Sequence, residues 1–82
     1  MARHTVYILR SAADPARHYT GTTSLPVEER LAYHNAGRVP HTSKYRPWIL
    51  ETWVVFGDPR KAHAFERYLK SGAGREFARR HF

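Results

Sequence analysis

Eighty-two residues make one domain, 1–82, with a thin core: a chain this short buries only roughly 60–65% of the surface it exposes unfolded, so one sheet covered by a few helices is the limit. Fourteen Lys and Arg against seven Asp and Glu give a formal charge of +7, with six histidines besides, which favours a polyanion such as nucleic acid or an acidic membrane surface. The absence of cysteine excludes a disulfide framework, thiol catalysis and Cys-ligated zinc, and suits a reducing compartment.

The chain starts Met1-Ala2-Arg3-His4-Thr5, without the apolar run of a leader peptide, and no stretch approaches the ~20 apolar residues of a membrane span, so a cytoplasmic protein is expected. Thr5 to Leu9 reads as a strand with Val6 and Ile8 on one face and Tyr7 on the other. After a turn at Ser11 to Pro15, His18 to Thr23 reads as its antiparallel hairpin partner, and Gly21 inside it marks a bulge or a close approach. Ser24 then serves as N-cap to a helix ending near Asn35, with Pro26 in its first turn and Gly37 terminating it. Val27, Arg30, Leu31 and His34 share one face of that helix.

Arg38 to Pro47 is a basic loop. Trp48 to Phe56 carries Trp48, Leu50, Thr52, Val54 and Phe56 on one face and Ile49, Trp53 and Val55 on the other, which predicts a central strand covered on both sides. Asp58-Pro59 opens a second helix that buries Ala62, Phe65, Tyr68 and Leu69. Gly72 and Gly74 end it, and Arg75 to Phe82 forms a last short basic helix. No repeat or linker interrupts the pattern.

Five side chains stand out chemically, each with a plain alternative. Tyr7 and Tyr19 are either sheet aromatics or two phenols brought together on one face; a phenol of pKa ~10 becomes useful as a base only if a nearby cation lowers that value, and Arg30 or a metal-bound water could do so. Arg30 faces inward and either covers the helix edge or grips a phosphate with its planar fork. His34, one turn on, bonds a tyrosine or a phosphate, or is a satisfied boundary histidine. Glu66 pairs with Lys70 at i+4, or is the single carboxylate of a Mg²⁺ site. The remaining histidines have no zinc-ligand spacing. Arg38, Lys44, Arg46, Lys70 and Arg75 are ordinary surface charges singly and a phosphate-binding groove collectively, joined by Thr22 and by Gly21, whose missing side chain opens space for a backbone or phosphate.

The order Tyr7, Tyr19 with Gly21, Arg30, His34 and Glu66, with segments such as Tyr45-Arg46-Pro47-Trp48 and Phe65-Glu66-Arg67-Tyr68-Leu69-Lys70, resembles the GIY-YIG nuclease superfamily over nearly the whole chain. His34-Asn35-Ala36-Gly37 and Thr42 resemble its small stand-alone bacterial branch, itself similar to the N-terminal nuclease module of the bacterial repair excinuclease. Some members carry lysine after the glycine where this chain has Thr22. The resemblance implies an α+β fold, a small three-stranded antiparallel sheet flanked by helices. It also implies a Mg²⁺- or Mn²⁺-dependent endonuclease hydrolysing DNA phosphodiester bonds, structure-selective and acting in repair or recombination. Tyr7, Tyr19, Arg30, His34 and Glu66 would be its catalytic residues, with the metal on Glu66 and one tyrosine as general base. DNA, branched or single-stranded, is the implied partner, with a protein partner supplying specificity. The rival expectation is a basic nucleic-acid-binding module that keeps this scaffold without the chemistry; an RNA-associated protein rests on charge alone.

Overall fold

A computed structural model describes residues 3–82; Met1 and Ala2, on which the leader-peptide expectation begins, lie outside the described residues. Three strands, β1 His4–Ser11, β2 His18–Thr23 and β3 Trp48–Phe56, form one antiparallel sheet in the order β2-β1-β3. Three helices complete the domain: α1 Val27–Asn35, α2 Pro59–Leu69 and α3 Gly72–His81. The expected α+β architecture is present. No helix among the described residues is long and apolar enough to cross a membrane.

The central strand is β1, not β3. Val6 to Leu9 are all buried, because α1 packs on one face of β1 and α2 on the other. Val6 and Ile8 meet Ala62 and Leu69, while Tyr7 and Leu9 meet Val27 and Trp48. Each fully buried aliphatic side chain in these two small cores contributes about 1.5–3 kcal/mol. On β3, by contrast, Trp53 is 51% exposed and Val55 50%. The apolar run that suggested burial on both sides belongs to an edge strand that is exposed at its far end.

A bulge also breaks the alternation expected along β3. Ile8 lies opposite Thr52 but Leu9 lies opposite Leu50, so Glu51 has no partner on β1. The extra residue exchanges the faces: Trp48 packs with Tyr7 and Leu9, whereas Phe56 packs with Val6 and Ile8.

The helix ends show which local signals prevail. Asp58 caps α2 by accepting from the Arg60 amide at 2.9 Å, with Pro59 in the first turn, as expected. Ser24 does not cap α1; Pro26 holds the cap position and offers no side-chain acceptor, leaving Glu28 and Glu29 to complement the exposed amides. Gly37, at φ +78°, ends α1, and the Arg38 amide reaches back to the Tyr33 carbonyl. Gly72 and Gly74 do not terminate α2: its last residue is Leu69, and both glycines lie in the first turn of α3, capped by Ser71 on the Gly74 amide. Gly74 is buried because α3 starts directly against the Tyr68 carbonyl, where a β-carbon would collide with backbone. Tyr68, expected inside, is 41% exposed.

This geometry separates two otherwise identical substitutions. Gly74→Ala should destabilise by about 1–3 kcal/mol through overpacking against immovable backbone, while Gly72→Ala, with open space around it, should be neutral or stabilising by up to about 1 kcal/mol. Urea unfolding of both variants checks the contrast.

Candidate active site

The site is built across the sheet face that carries α1. Tyr7 lies directly opposite Gly21 on β2, and Leu9 directly opposite Tyr19. A β-carbon on Gly21 would stand 2.7 Å from the Tyr7 hydroxyl and 2.9 Å from the Tyr19 ring. The space beside Gly21 is therefore filled by the two tyrosines, rather than open for a backbone or phosphate. Glycine here lets the Tyr7 ring lie down over β2 and places its hydroxyl beneath α1.

From α1, one turn apart, Arg30 and His34 converge on that hydroxyl. Arg30 Nε donates to Tyr7 Oη at 3.3 Å, and His34 Nε2 lies 2.8 Å from the same oxygen. On its other side His34 Nδ1 is 2.8 Å from Thr42 Oγ1, and the Thr42 hydroxyl donates to the Val39 carbonyl at 3.2 Å. A hydroxyl carries one proton, and the Thr42 contact with the Val39 carbonyl selects one His34 tautomer. Thr42 has spent its proton on Val39 and accepts from His34 Nδ1–H; Nε2 then carries the free lone pair, and Tyr7 donates to it. No buried side-chain nitrogen or oxygen among the described residues lacks a partner.

The protonation states follow from the surroundings. His34 is fully buried; loss of hydration, and secondarily the Arg30 charge, lower it to about 4, so it is neutral near pH 7. Burial pushes the Tyr7 phenol above its ordinary value, and the hydrogen bond and charge of Arg30 offset only part of this. The expectation that Arg30 would make Tyr7 acidic is corrected: desolvation of a 1%-exposed phenol outweighs one partly exposed cation. What Tyr7 gains instead is a ready acceptor for its own proton.

Tyr19 packs its ring 5.0 Å from His34 and 6.3 Å from Tyr7. Glu66 comes from α2, with a side chain 21% exposed that pairs with Lys70 at 3.2 Å. Glu66 thus makes the expected i+4 pair, and its charge also acts on the Tyr7 hydroxyl. No group of three or more His, Asp or Glu converges among the described residues. A lone carboxylate paired with a solvent-facing lysine fits a hard ion that keeps most of its waters, as Mg²⁺ does.

The basic residues fall into two sets. Arg38 lies over the Tyr33 ring and Arg46 donates to the Ser43 carbonyl with its guanidinium against Gly37, so both gather where α1 ends; Lys44 is exposed in the same loop. Lys70 and Arg75 line a cleft beside α3. Thr22 pairs with Val6 and so belongs to the opposite sheet face from Tyr7. Two supporting residues take up tasks that no local spacing signals. Thr42 orients His34 from eight positions further along the chain, and Asn35 brackets the backbone of Trp48, accepting from its amide at 2.6 Å and donating to its carbonyl at 3.1 Å.

A family model for the GIY-YIG catalytic domain matches residues 3–78. Among curated proteins, none matches the chain.

A histidine neutral in the fold and ordinary when unfolded makes stability depend on pH. The unfolded state takes up a proton below about 6.5 and the folded state only below about 4, so the contribution is present above 6.5 and lost as pH falls through that window. The loss should total about 3 kcal/mol. Unfolding of the wild type and of His34→Gln between pH 7 and pH 4 should show the slope in the first and its absence in the second.

Proposed function

The chain belongs to the GIY-YIG catalytic-domain family, a family of nucleases generally dependent on divalent metal, and from that premise we propose a Mg²⁺-dependent endonuclease that hydrolyses DNA phosphodiester bonds, selecting its substrate by shape. The observation that carries this reading is the fixed donor direction from Tyr7 to a neutral His34.

Water attacking phosphorus must lose a proton as its oxygen becomes bonded. Tyr7 Oη accepts that proton while passing its own to His34 Nε2, so no free phenolate of raised pKa need form. Thr42 keeps the imidazole turned so that Nε2 faces the phenol. Arg30 holds Tyr7 with Nε, which leaves its terminal nitrogens for the phosphoryl oxygens. Burial is the main cause of the low His34 value, and a phosphodiester seated on Arg30 offsets the smaller contribution of the Arg30 charge. Tyr19 packs its ring against His34 and Tyr7. Tyr7 rather than Tyr19 is therefore our choice of general base. Glu66 would hold the divalent ion, which supplies Lewis-acid stabilisation of the phosphate and of the departing 3′ oxygen. Tyr7 is 1% exposed, so the scheme requires the half-buried Arg30 side chain beside its hydroxyl to yield when substrate binds.

Labelled duplex, flap, fork and single-stranded DNA, incubated with Mg²⁺ or Mn²⁺ and with EDTA, tests the proposal. Cuts should require metal and fall by at least about 10²–10³ in Glu66→Ala and Arg30→Ala, with both variants folded. Metal-dependent cleavage retained in either variant contradicts the assignment; salt-sensitive binding without cuts by the wild type supports the rival, a binding module on this scaffold.

A further inference from the structure

Between α3 and the β2 side of the sheet lies a cleft of about 640 Å³ that no step above uses. Its floor is apolar, made of Ile8, Leu69, Ala78 and Phe82. Its rim is cationic: Lys70 and Arg75 line it, and Arg75 makes no ion pair among the described residues. One carboxylate enters this basic rim. Glu51 lines the cleft, and it is the extra residue of the β3 bulge, the position with no partner on β1. Bulges re-aim a side chain that regular pleating would send elsewhere. Arg10 and His18, each 3.5 Å from Glu51, steady the carboxylate and leave lone pairs free.

Two residues of the cleft also touch residues of the site. Tyr19 forms part of its wall while its ring packs on His34, and Lys70 forms another part while holding Glu66. A strand with its scissile phosphate at Arg30 and Glu66 therefore brings an adjoining nucleotide to the cleft. An apolar floor of this size suits a planar base better than a bare phosphate, and cavities of ~300–1,000 Å³ are the ordinary range for small ligands. A base stacked and paired in duplex cannot enter; it must be single-stranded or turned out.

We infer that this cleft receives an unpaired base beside the scissile phosphate, with Arg75 on the nucleotide's phosphate and Glu51 accepting a hydrogen bond from the base's exocyclic amine. Cytosine, adenine and guanine carry such an amine. Thymine has none, and it presents carbonyl oxygens that a carboxylate repels. The inference rests on the nuclease reading and adds to it a substrate class: DNA unpaired at the cut, with an amine-bearing base there.

Fluorescence polarisation in EDTA, with labelled homopolymers of cytosine and of thymine and a duplex of the same length, reads the cleft separately from catalysis. Wild type should bind the cytosine strand about ten-fold more tightly than the thymine strand, and the duplex more weakly than either. Glu51→Ala and the near-isosteric Glu51→Gln should bring the cytosine-to-thymine ratio close to one, whereas Arg75→Ala should weaken both strands alike. Equal binding of the two strands by wild type, or a preference that survives both Glu51 variants, overturns the inference. Parallel incubation with Mg²⁺ keeps the two readings apart: base preference without cuts in either strand removes the nuclease and leaves the cleft, and cuts without base preference do the reverse.

Discussion

The structure depends on a single buried polar thread. Trp48 donates its indole N–H to the Thr42 carbonyl at 2.8 Å; the Thr42 hydroxyl accepts from His34; His34 accepts from Tyr7; and Arg30 donates to Tyr7. Every member is satisfied, so the thread carries none of the cost of an orphaned buried dipole. With the Thr42 proton given to Val39, the thread runs in one direction, from Tyr7 through His34 to Thr42. A network with one allowed orientation is rigid, and rigidity is what an acid–base site needs from a domain with so little core.

The sheet makes that thread possible. Tyr7 is on the central strand, where helices cover both faces, so its hydroxyl is withdrawn from water and its neighbours keep their protonation states. Gly21 opposite it removes the only side chain that would lift the ring away from β2. Asn35 then ties the end of α1 to the first residue of β3, which fixes the loop carrying Thr42 at both ends. Packing, backbone pairing and proton position are one arrangement here, and in the function we propose Glu66 would hold the divalent ion at its margin.

Much of this is legible in the sequence, for identifiable reasons. The limits of β2 and β3, the Asp58 cap and the stop at Gly37 follow from local signals that tertiary contacts have no cause to override. The convergence of Tyr7, Arg30 and His34 follows from the two periods of strand and helix. What stays hidden is non-local. The order of the strands places β1 in the middle although β3 is the longer and more apolar run, since burial depends on where helices land and not on composition alone. The bulge at Glu51 leaves no mark in a nine-residue strand, yet it exchanges the faces of Trp48 and Phe56. Thr42 is visible as part of the family pattern, but its task emerges only from the bond it completes. The two glycines after α2 look like a stop, when the sharper constraint is the close approach of Gly74 to the Tyr68 carbonyl.

The most direct measurement is the rate of Mg²⁺-dependent DNA cleavage by Tyr7→Phe beside wild type. This change keeps the ring over Gly21 and deletes only the oxygen shared by Arg30 and His34. If Tyr7 is the general base, the rate falls by at least about 10²-fold while the protein stays folded. A Tyr7→Phe protein that cleaves at the wild-type rate would contradict the proton path from water through Tyr7 to His34.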